Sequence, residues 1–369
     1  MVYLRAMLRQ LFFLLNLLLL AAIFLAGLSC HISPENLWWL AFVGLGYTGL
    51  LVGLLLCTVA SALFCQKIFF LNIIALALSW SYTKTVFAPR LPAIAKAGIN
   101  VMSYNVKNFD LYNWTGNKET RHQIFEMIRL EAPAILCLQE FYTDDKEYHN
   151  LEYLRDSLGY SFVYFKSSNT LPRTNQSTNR THPLGFGLAI FSRYEILDTG
   201  IVSFEDKSSN QCIYTDLNVA GKPLRVYNTH LQSIHLGYDD YDTLEELRET
   251  QNTQWYRLKN ILRKMKHAYT KRARQAQAIA AHNKQHQGAL LICGDFNDAP
   301  VSYTYHTIAQ NLQDAFVEKG SGIGNSFVNR LGFFRIDFVL GNSGVRFLNY
   351  RVPNKALSDH YPIKVVFAL

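Results

Sequence analysis

The chain has 369 residues and a formal net charge of +8, and 49% of its residues are hydrophobic. This length accommodates a membrane segment together with one large domain or two modest ones. None of the 6 cysteines forms a CxxC pair or stands at zinc-binding spacing from a histidine, which argues against a disulfide framework and against a zinc site. The excess of basic residues favours an anionic partner without specifying which one.

The N-terminal part of the chain is strongly apolar and contains three long uncharged runs, which are Leu11–Leu28, Leu37–Phe64 and Ile68–Thr83. A helix needs about 20 residues to cross a bilayer core of roughly 30 Å. We therefore predict that residues 1–88 form a membrane anchor, a bundle of about three transmembrane helices. Proline and glycine then interrupt the apolar pattern, and this predicts a short linker over residues 89–98.

Charged residues beside these runs predict which side of the membrane the rest of the chain occupies. Arg5 and Arg9 precede the first run and favour a cytoplasmic N-terminus. They would also suit a cleaved signal peptide, but the two apolar runs that follow favour membrane spans. Lys84, Arg90 and Lys96 oppose an external location, because cytoplasmic loops are the ones enriched in basic residues. Counting three crossings, we predict an integral, multi-pass membrane protein with an extracytoplasmic soluble domain.

Residues 99–369 have the pattern of a globular domain in which strands alternate with helices. Two helical stretches are predicted at Glu119–Leu130 and Thr243–His286. Short apolar runs rich in β-branched or aromatic residues predict strands. These runs are Ile99–Tyr104, Ala134–Leu138, Ser161–Phe165, Phe186–Phe191, Leu224–Tyr227, Ala289–Cys293, Ile336–Leu340 and Ile363–Phe367. Interleaved helices and strands predict layers of helices packed on sheets.

Amide, acidic and imidazole side chains stand in or after six strand-like runs. The stretches are Val101–Asn105, Ile135–Glu140, Val226–His230, Leu291–Asn297, Arg335–Leu340 and Leu357–Pro362. A single acid or amide after a strand is usually a turn residue or a helix cap. Six polar tips in one domain are better explained by a common site.

Several of these polar residues carry a negative charge, and they are Glu140, Asp295, Asp337 and Asp359. Two carboxylates about 4 Å apart repel each other by roughly 4 kcal/mol at an effective dielectric constant near 20. Such a cluster requires a positive partner, either a histidine or a hard divalent cation with oxygen ligands. Mg²⁺, or Mn²⁺, suits this donor set better than zinc. A metal, an acid that takes a proton from water, and amide and imidazole donors together predict hydrolysis of phosphate esters.

The same stretches resemble the ordered signature of the endonuclease/exonuclease/phosphatase superfamily. Its members include deoxyribonuclease-I-like nucleases, exonuclease-III-like repair enzymes, neutral sphingomyelinases and inositol-polyphosphate 5-phosphatases. The resemblance covers Ile99–Leu369 and includes six motifs in the family's order, namely Ser103–Val106, Leu138–Glu140, Tyr227–Leu231, Gly294–Asn297, Arg335–Phe338 and Ser358–His360. It implies an α/β (α+β) four-layer sandwich, in which two face-to-face mixed β-sheets are flanked by helices and the site lies at one end.

The resemblance also implies how the metal and the attacking water are held. Glu140 would be the principal Mg²⁺ ligand, helped by Asn105. Asp359 would bind the metal directly or through water. Asp295 would orient or deprotonate the attacking water, and Asn297 would hold the scissile phosphate.

Two histidines complete the implied site. His360 would contact the phosphate and stabilise charge, with Asp337 fixing its tautomer and orientation. His230 resembles the second histidine of the deoxyribonuclease-I and sphingomyelinase branches, where it would act near the phosphate as a general acid. Exonuclease-III-like members tend to have other polar residues at this position, so the domain differs from abasic-site repair enzymes. Asn228 is expected to be a supporting hydrogen bonder, and Asp298 a turn or cap residue.

A basic segment bears on the substrate, because no acidic residue occurs from Thr250 to Gly294. Its basic residues include Arg257, Lys259, Arg263, Lys264, Lys266, Lys271, Arg272 and Arg274. A solvated helix face explains them as well as a contact with a nucleic-acid backbone or with anionic headgroups does.

Three functions remain open from the sequence. The first is a membrane-anchored, Mg²⁺-dependent phosphodiesterase of nuclease type, and the second is a lipid or inositol phosphate hydrolase. The third, a non-catalytic binding module, is disfavoured because a degenerate copy would be expected to lose some of its key residues, and none is missing among Glu140, Asp295, Asn297, Asp337 and His360. The predicted partners are a phosphate-ester substrate, either nucleic acid or a phospholipid headgroup, and a lipid bilayer contacted by the N-terminal helices. Nothing in the sequence indicates a protein partner.

Overall fold

The structure, a computed structural model, describes residues 2–64, 66–91, 97–168, 184–205, 209–234, 251–328, 334–353 and 355–369. The chain divides into two compact units. The first comprises Met1–Phe87, Ile234–Ala273 and Asp298–Thr307. The second comprises Ala88–Ser233, Arg274–Asn297 and Ile308–Leu369.

The first unit is helical. Its N-terminal helices are α1 (Val2–Leu28), α2 (Pro34–Leu37), α3 (Leu40–Leu45), α4 (Tyr47–Phe64), α5 (Gln66–Leu78) and α6 (Trp80–Val86). Helix α1 contains the stretch Ala6–Leu28, whose length and composition would allow it to cross a membrane.

The predicted number of about three membrane spans is wrong. Among the described residues, Ala6–Leu28 is the one helix with the required length and apolar composition. The second apolar run is divided among α2, α3 and α4, because the chain turns at Trp38–Trp39 and again at Gly46. The third run forms α5, whose 13 residues fall short of the required length. Hydropathy counts apolar residues but does not register these turns.

Two buried asparagines link α1 to α5. The side-chain amides of Asn16 and Asn72 donate to each other's oxygens at 2.9 and 3.0 Å. Large apolar side chains on the same group of helices are instead exposed, among them Leu14, Leu18, Phe24, Leu56 and Val59. Ile23 and Leu54 of the same helices are buried, so these helices carry apolar side chains on their exposed as well as their buried faces.

We expect Asn16→Leu to destabilise the helical unit, because it leaves the buried amide of Asn72 without its partner. Interhelical hydrogen bonds of this kind contribute about 0.6 to 1.7 kcal/mol in membrane proteins. The double variant Asn16→Leu/Asn72→Leu should recover most of the loss, since replacing both partners by apolar groups is nearly neutral. Thermal unfolding in detergent micelles measures both effects. Additive destabilisation in the double variant would contradict this interpretation of the pair.

The second unit contains two six-stranded sheets. The strands are β1 (Ile99–Asn105), β2 (Ile135–Thr143), β3 (Phe162–Ser167), β4 (Gly185–Ser192), β5 (Glu195–Val202), β6 (Gln211–Val219), β7 (Lys222–His230), β8 (Ala289–Asp295), β9 (Gln313–Asp314), β10 (Asp337–Gly341), β11 (Arg346–Arg351) and β12 (Ile363–Ala368). The first sheet has the order β11-β12-β1-β2-β4-β3 and the second the order β5-β6-β7-β8-β10-β9. The pairs β1–β2 and β7–β8 are parallel and the other pairs antiparallel, so both sheets are mixed.

The remaining helices are α7 (Thr120–Glu131), α8 (Asn150–Glu152), α9 (Gln251–Asn283), α10 (Tyr303–Ile308) and α11 (Ala315–Lys319), with a π-helical turn at Tyr153–Ser157. Helix α7 forms where the sequence predicts one. Helix α9 occupies the described part of the predicted stretch Thr243–His286, of which residues 243–250 lie outside the described chain.

Alternating side chains of the central strands explain why the sheets pack in layers. In β1, Val101 faces a core shared by both sheets, and Met102 faces a second core shared with α7. In β2, Ile135 faces the core shared by both sheets, and Leu136 faces the core shared with α7. Successive side chains of a strand point to opposite faces, so each strand supplies both cores. The prediction of two mixed sheets with flanking helices is confirmed.

Candidate active site

Three neighbouring strands of the second sheet place polar side chains in one row. His230 is the last residue of β7, Asp295 the last of β8, and Asp337 the first of β10. In the strand register, Asp295 is paired with His230 on one side and with Asp337 on the other. The ends of these strands therefore bring together an imidazole and two carboxylates that are far apart in sequence.

The first sheet supplies an amide and a third carboxylate. Asn105 is the last residue of β1, and Glu140 lies in the neighbouring β2. The register of β2 against β4 shifts between Leu138 and Phe141, and Glu140 has a φ of 47°. Such a bulge redirects a side chain relative to the regular alternation of the strand.

The polar ends of the two sheets meet through Asn105. Its Nδ2 donates to Glu140 Oε1 at 3.2 Å and to Asp295 Oδ2 at 3.1 Å. His230 Nε2 lies 3.7 Å from the same Glu140 oxygen and 3.6 Å from Asp295 Oδ2. One amide and one imidazole thus lie between carboxylates that belong to different sheets.

A histidine–carboxylate pair completes the centre. His360 Nδ1 is 2.9 Å from Asp337 Oδ2, and its Nε2 is 3.6 Å from Asp295 Oδ2. The ring packs edge-on against Phe327, with centroids 5.1 Å apart. Asp337 therefore fixes the orientation of the imidazole and leaves its other nitrogen facing Asp295.

The turn after β8 holds Asn297 beside Asp295. The Asn297 backbone N–H donates to Asp295 Oδ1 at 2.8 Å, and its side-chain amide donates to the Leu231 carbonyl at 3.0 Å. Gly294 precedes this turn with a φ of +144°, and a Cβ there would meet the Thr229 carbonyl at 2.0 Å. Only glycine allows β7 and β8 to approach so closely next to the site.

Asp359 lies at the edge of this group, beside His360 in the sequence. Its Oδ2 accepts from Lys107 Nζ at 2.8 Å, and its Oδ1 accepts from the Ser358 hydroxyl at 3.2 Å. Ser358 in addition donates to the Asn105 carbonyl at 2.8 Å. The segment that carries Asp359 and His360 is thereby attached to the end of β1.

Asn228 connects the two sheets below the site. Its Nδ2 donates to the carbonyls of Leu138 and Ala189, both at 2.9 Å, and its oxygen accepts from Gln139 Nε2 at 2.6 Å. All of these atoms belong to a buried layer between β7, β2 and β4. Asn228 therefore supports the relative position of the sheets and does not reach the centre itself.

Asp298 makes its contacts within the first unit. Its carboxylate accepts from the Thr304 hydroxyl at 2.7 Å and from the Ala299 N–H at 3.0 Å, and lies 3.7 Å from Arg272 Nε. These contacts make it a structural turn residue with a buried cationic neighbour, whereas Asn297 one position earlier contacts Asp295.

Burial and neighbouring charges set the protonation of the central groups. Burial raises the pKa of Asp295 to about 6; His360 opposes this shift and the carboxylate of Asp337 adds to it. Burial alone would lower the pKa of His360, but Asp337 and Asp295 outweigh it and raise that pKa to about 10. Near pH 7 the centre therefore combines an ionised Asp295 with a protonated His360.

These protonation states predict a bell-shaped dependence of kcat/KM on pH. The rate should rise as Asp295 loses its proton near pH 6 and fall as His360 loses its proton near pH 10. Asp337→Asn should move the alkaline limb to lower pH, because it removes the carboxylate that stabilises the imidazolium. Asp216→Asn, which breaks the ion pair with Arg225 elsewhere in the second sheet, is the control. An unchanged alkaline limb in Asp337→Asn would contradict the assignment.

The donors of the site suit a hard divalent cation. Oxygens of Glu140 and Asp295 face each other across Asn105, and His230 Nε2 is buried without a hydrogen-bond partner among the described residues. Asp295, Asp337 and His360 also have ligand-type atoms within 4.8 Å of one another. His360 Nδ1 is already engaged by Asp337, however, so the more open Glu140, with a third of its side chain exposed, is the better candidate.

Further contacts at the site involve residues outside the predicted set. Lys107 pairs with Asp359, Gln139 donates to Asn228, and Phe327 packs on His360. Gln139 directly precedes Glu140, and Lys107 follows Asn105 by two positions. This proximity in sequence could have indicated both residues. Phe327 has no such signal, because it is 33 residues from His360 in the chain and meets it through an isolated β-bridge outside the strands.

Several solved structures share the fold of the second unit. A humanised TDP2 of D. rerio superposes with a TM-score of 0.52 and 14% identity, covering 74% of this chain and 100% of that one. The human nocturnin catalytic domain superposes with a TM-score of 0.51 and 19% identity, covering 74% of this chain and 96% of that one. A mannosyl-6-phosphatase of Bacteroides thetaiotaomicron superposes with a TM-score of 0.51 and 17% identity, covering 73% of this chain and 100% of that one. At these identities the likeness establishes the fold and not the substrate.

Comparisons of the sequence give one match for each part of the chain. Residues 9–86 match a domain of unknown function (DUF8431). Residues 102–360 match the Endonuclease/Exonuclease/phosphatase family, and this segment contains every predicted site residue. No curated protein sequence matches the chain. The family match extends over most of the chain and agrees with the two mixed sheets and the polar centre at their ends. The chain belongs to the Endonuclease/Exonuclease/phosphatase family and is a metal-dependent hydrolase of phosphate esters.

Proposed function

We propose that the protein is a membrane-anchored, Mg²⁺-dependent phosphodiesterase of nuclease type. The observation that carries this proposal is the meeting of Glu140, Asp295 and His360 across two sheets, with Asn105 and His230 between them. Carboxylates, an ionised base and two imidazoles at one point provide each of the groups that attack on a phosphate ester requires.

Asp295 is the general base in this proposal. Its carboxylate is fully buried at the end of β8, and hydrogen bonds from Asn105 and Asn297 fix its position. A pKa of about 6 leaves it ionised near pH 7 but close enough to accept a proton readily. It takes a proton from the water that attacks phosphorus.

Two imidazoles and an amide then act on the phosphate. His360, held by Asp337 and protonated near pH 7, donates to a phosphoryl oxygen as negative charge develops there. His230 Nε2, like His360 Nε2, lies 3.6 Å from Asp295 Oδ2, and in this proposal it protonates the departing oxygen. The Asn297 amide donates to the Leu231 carbonyl at 3.0 Å and to Asp295 Oδ2 at 3.3 Å, and it would hold the phosphate by exchanging the second of these hydrogen bonds for one to a phosphoryl oxygen.

Glu140 would hold the cation, and Asn105 would position Glu140. In the structure Asn105 presents its Nδ2 to the carboxylates, while its oxygen accepts from the Lys107 N–H at 3.1 Å. Direct ligation by Asn105 would therefore require its amide to turn round. Asp359, already paired with Lys107, would contribute through water. When bound, Mg²⁺ supplies positive charge to the phosphate oxygens.

The N-terminal helices anchor the enzyme in a bilayer in this proposal. Ala6–Leu28 is long and apolar enough to cross, and the exposed apolar side chains of α4 would contact lipid beside it. With a cytoplasmic N-terminus, any odd number of crossings places the second unit outside the cytoplasm. An alkaline phosphatase fusion after Leu369 should therefore be active. Inactive alkaline phosphatase, with an active cytoplasmic reporter at the same position, would reverse this orientation.

A lipid phosphate hydrolase is the second candidate, and the apolar exterior of the helical unit favours it. An enzyme held at the bilayer surface meets phospholipid headgroups at high local concentration. The two candidates differ in their response to conditions. Binding of a nucleic acid weakens steeply with added salt, whereas a lipid hydrolase depends on how its substrate is presented in a vesicle or micelle.

The full-length protein in nanodiscs should be assayed with Mg²⁺ and with EDTA against DNA, RNA, sphingomyelin and phosphoinositides. We expect Mg²⁺-dependent cleavage of DNA or RNA that falls as salt is added. Cleavage confined to a lipid would select the second candidate. The absence of Mg²⁺-dependent hydrolysis of every ester in the panel would overturn the proposed function.

A further inference from the structure

The loop between β1 and α7 is fixed in an unusual backbone conformation beside the site. Four consecutive residues, Lys107 to Asp110, have positive φ angles of 42°, 55°, 57° and 58°. Residues other than glycine rarely adopt this conformation, and it persists only where the surroundings enforce it. Phe109 supplies that constraint, because its ring is fully buried against Phe125 and Phe141 at centroid distances of 5.2 and 5.6 Å.

Hydrogen bonds fix the outer part of the same loop. Asp110 accepts from the Asn113 N–H at 2.8 Å through its carbonyl and from the Thr115 N–H at 3.2 Å through its carboxylate. The Thr115 hydroxyl donates to the same carboxylate, and the Gly116 N–H donates to the Asn113 carbonyl. These hydrogen bonds hold the loop in one conformation, so binding of a ligand there would carry no large ordering cost.

This loop presents two aromatic rings to solvent. Tyr112 is 61% exposed and Trp114 is 37% exposed, and their ring centroids are 4.9 Å apart. Lys107 Nζ lies 5.0 Å from the Trp114 ring and 2.8 Å from Asp359 Oδ2. A single lysine side chain therefore connects the aromatic pair to the residue that precedes His360.

We propose that Tyr112 and Trp114 form a stacking subsite for a nucleobase next to the scissile phosphate. This inference rests on the proposed phosphodiesterase and specifies its substrate class. Aromatic side chains stack with any base, and Lys107 lies between the stacking surface and the centre, where a phosphate next to the scissile one would be. The subsite would bind bases without strong sequence preference.

The charge of the loop favours a base over a bilayer surface. Between Lys107 and Glu119 there are two basic residues, Lys107 and Lys118, and two acidic residues, Asp110 and Glu119. Attraction to anionic headgroups requires an excess of lysine and arginine, which this loop lacks. Stacking depends on exposed ring faces and needs no such excess.

The test compares two single-stranded oligonucleotides of equal length, one normal and one in which every nucleotide is abasic, using the full-length protein with Mg²⁺. We expect Trp114→Ala to raise KM for the normal strand about tenfold with kcat retained, and to leave KM for the abasic strand unchanged. Trp114→Phe, which keeps a ring, should recover most of the affinity. Tyr112→Ala should resemble Trp114→Ala, and thermal unfolding checks that each variant is folded.

Trp255→Ala is the matched control, since it removes another exposed tryptophan, on α9, and should leave both KM values unchanged. Inhibition by a free mononucleotide that also weakens in Trp114→Ala would extend the subsite to free nucleotides. Equal KM values for Trp114→Ala and the wild type on the normal strand would overturn the subsite and leave the phosphodiesterase standing. If Trp114→Ala lost activity only towards sphingomyelin in vesicles, the result would overturn the stacking subsite in favour of a bilayer contact. Cleavage of neither strand by the wild type would overturn the subsite, and the ester panel described above would then decide separately whether the phosphodiesterase stands.

Discussion

Asp295→Asn is expected to reduce kcat by at least about a hundredfold, the lower end of what a general base contributes. The substitution preserves the size of a fully buried side chain, so the packing between β8 and β10 is retained. It removes the one carboxylate oxygen that Asn105, His230 and His360 all face. Single-turnover measurements at saturating substrate would report the loss in the chemical step.

Asp298→Asn provides a demanding control for this prediction, because Asp298 is also a buried acid of the same Gly294–Asp298 segment. Its carboxylate contacts Thr304 and Arg272 instead of the catalytic centre. We expect it to lower stability by about 3 kcal/mol, because it leaves the buried guanidinium unpaired, while the folded fraction keeps its kcat. Equal losses of kcat in the two variants would remove the special role of Asp295.

Glu140→Gln is expected to weaken cation binding by at least about tenfold, since even partners of a metal ligand contribute that much. The amide keeps the shape of the side chain and its position on the bulge of β2 but loses the negative charge that a hard cation requires. Paramagnetic resonance of Mn²⁺ measures the binding directly and independently of turnover.

Two comparisons make the metal assignment decisive. Glu126→Gln on α7 removes an exposed carboxylate that pairs with Arg129, and it should leave Mn²⁺ binding unchanged. Asp337→Asn tests the competing cluster formed with Asp295 and His360. If Mn²⁺ binding is lost in Asp337→Asn and retained in Glu140→Gln, the cation belongs to that cluster, and Glu140 is not its ligand.

The eight strands predicted from apolar runs all lie within or overlap observed strands, because each supplies buried apolar residues to a core, although β3, at a sheet edge, buries only Phe165. The four missed strands have mixed composition. Strand β5 is largely exposed at an edge, β9 has two residues, and β11 begins and ends with arginine. Strand β6 contains Asp216, which is neutralised by Arg225 across the strand pair. Only the partner strand makes such a residue compatible with a sheet.

The polar tips could be predicted to meet, since motif order and strand ends carry that information. The distances between these side chains could not be predicted, because they depend on the register of the paired strands. His230 and Asp295 are 65 positions apart and adjacent only through the parallel pairing of β7 and β8. Asp298 illustrates the opposite case, because it follows Asn297 in sequence but contacts Thr304 and Arg272 and not Asp295.

Asn105 and Asn228 both bridge the sheets, one at the catalytic end and one in the buried layer below. The proposed base, Asp295, and the proposed cation ligand, Glu140, therefore belong to different sheets, and no single strand or hairpin carries both. A sliding movement of one sheet against the other would separate Asp295 from Glu140 even if every strand stayed intact. We therefore expect catalytic activity to depend on how rigidly the two sheets are held together.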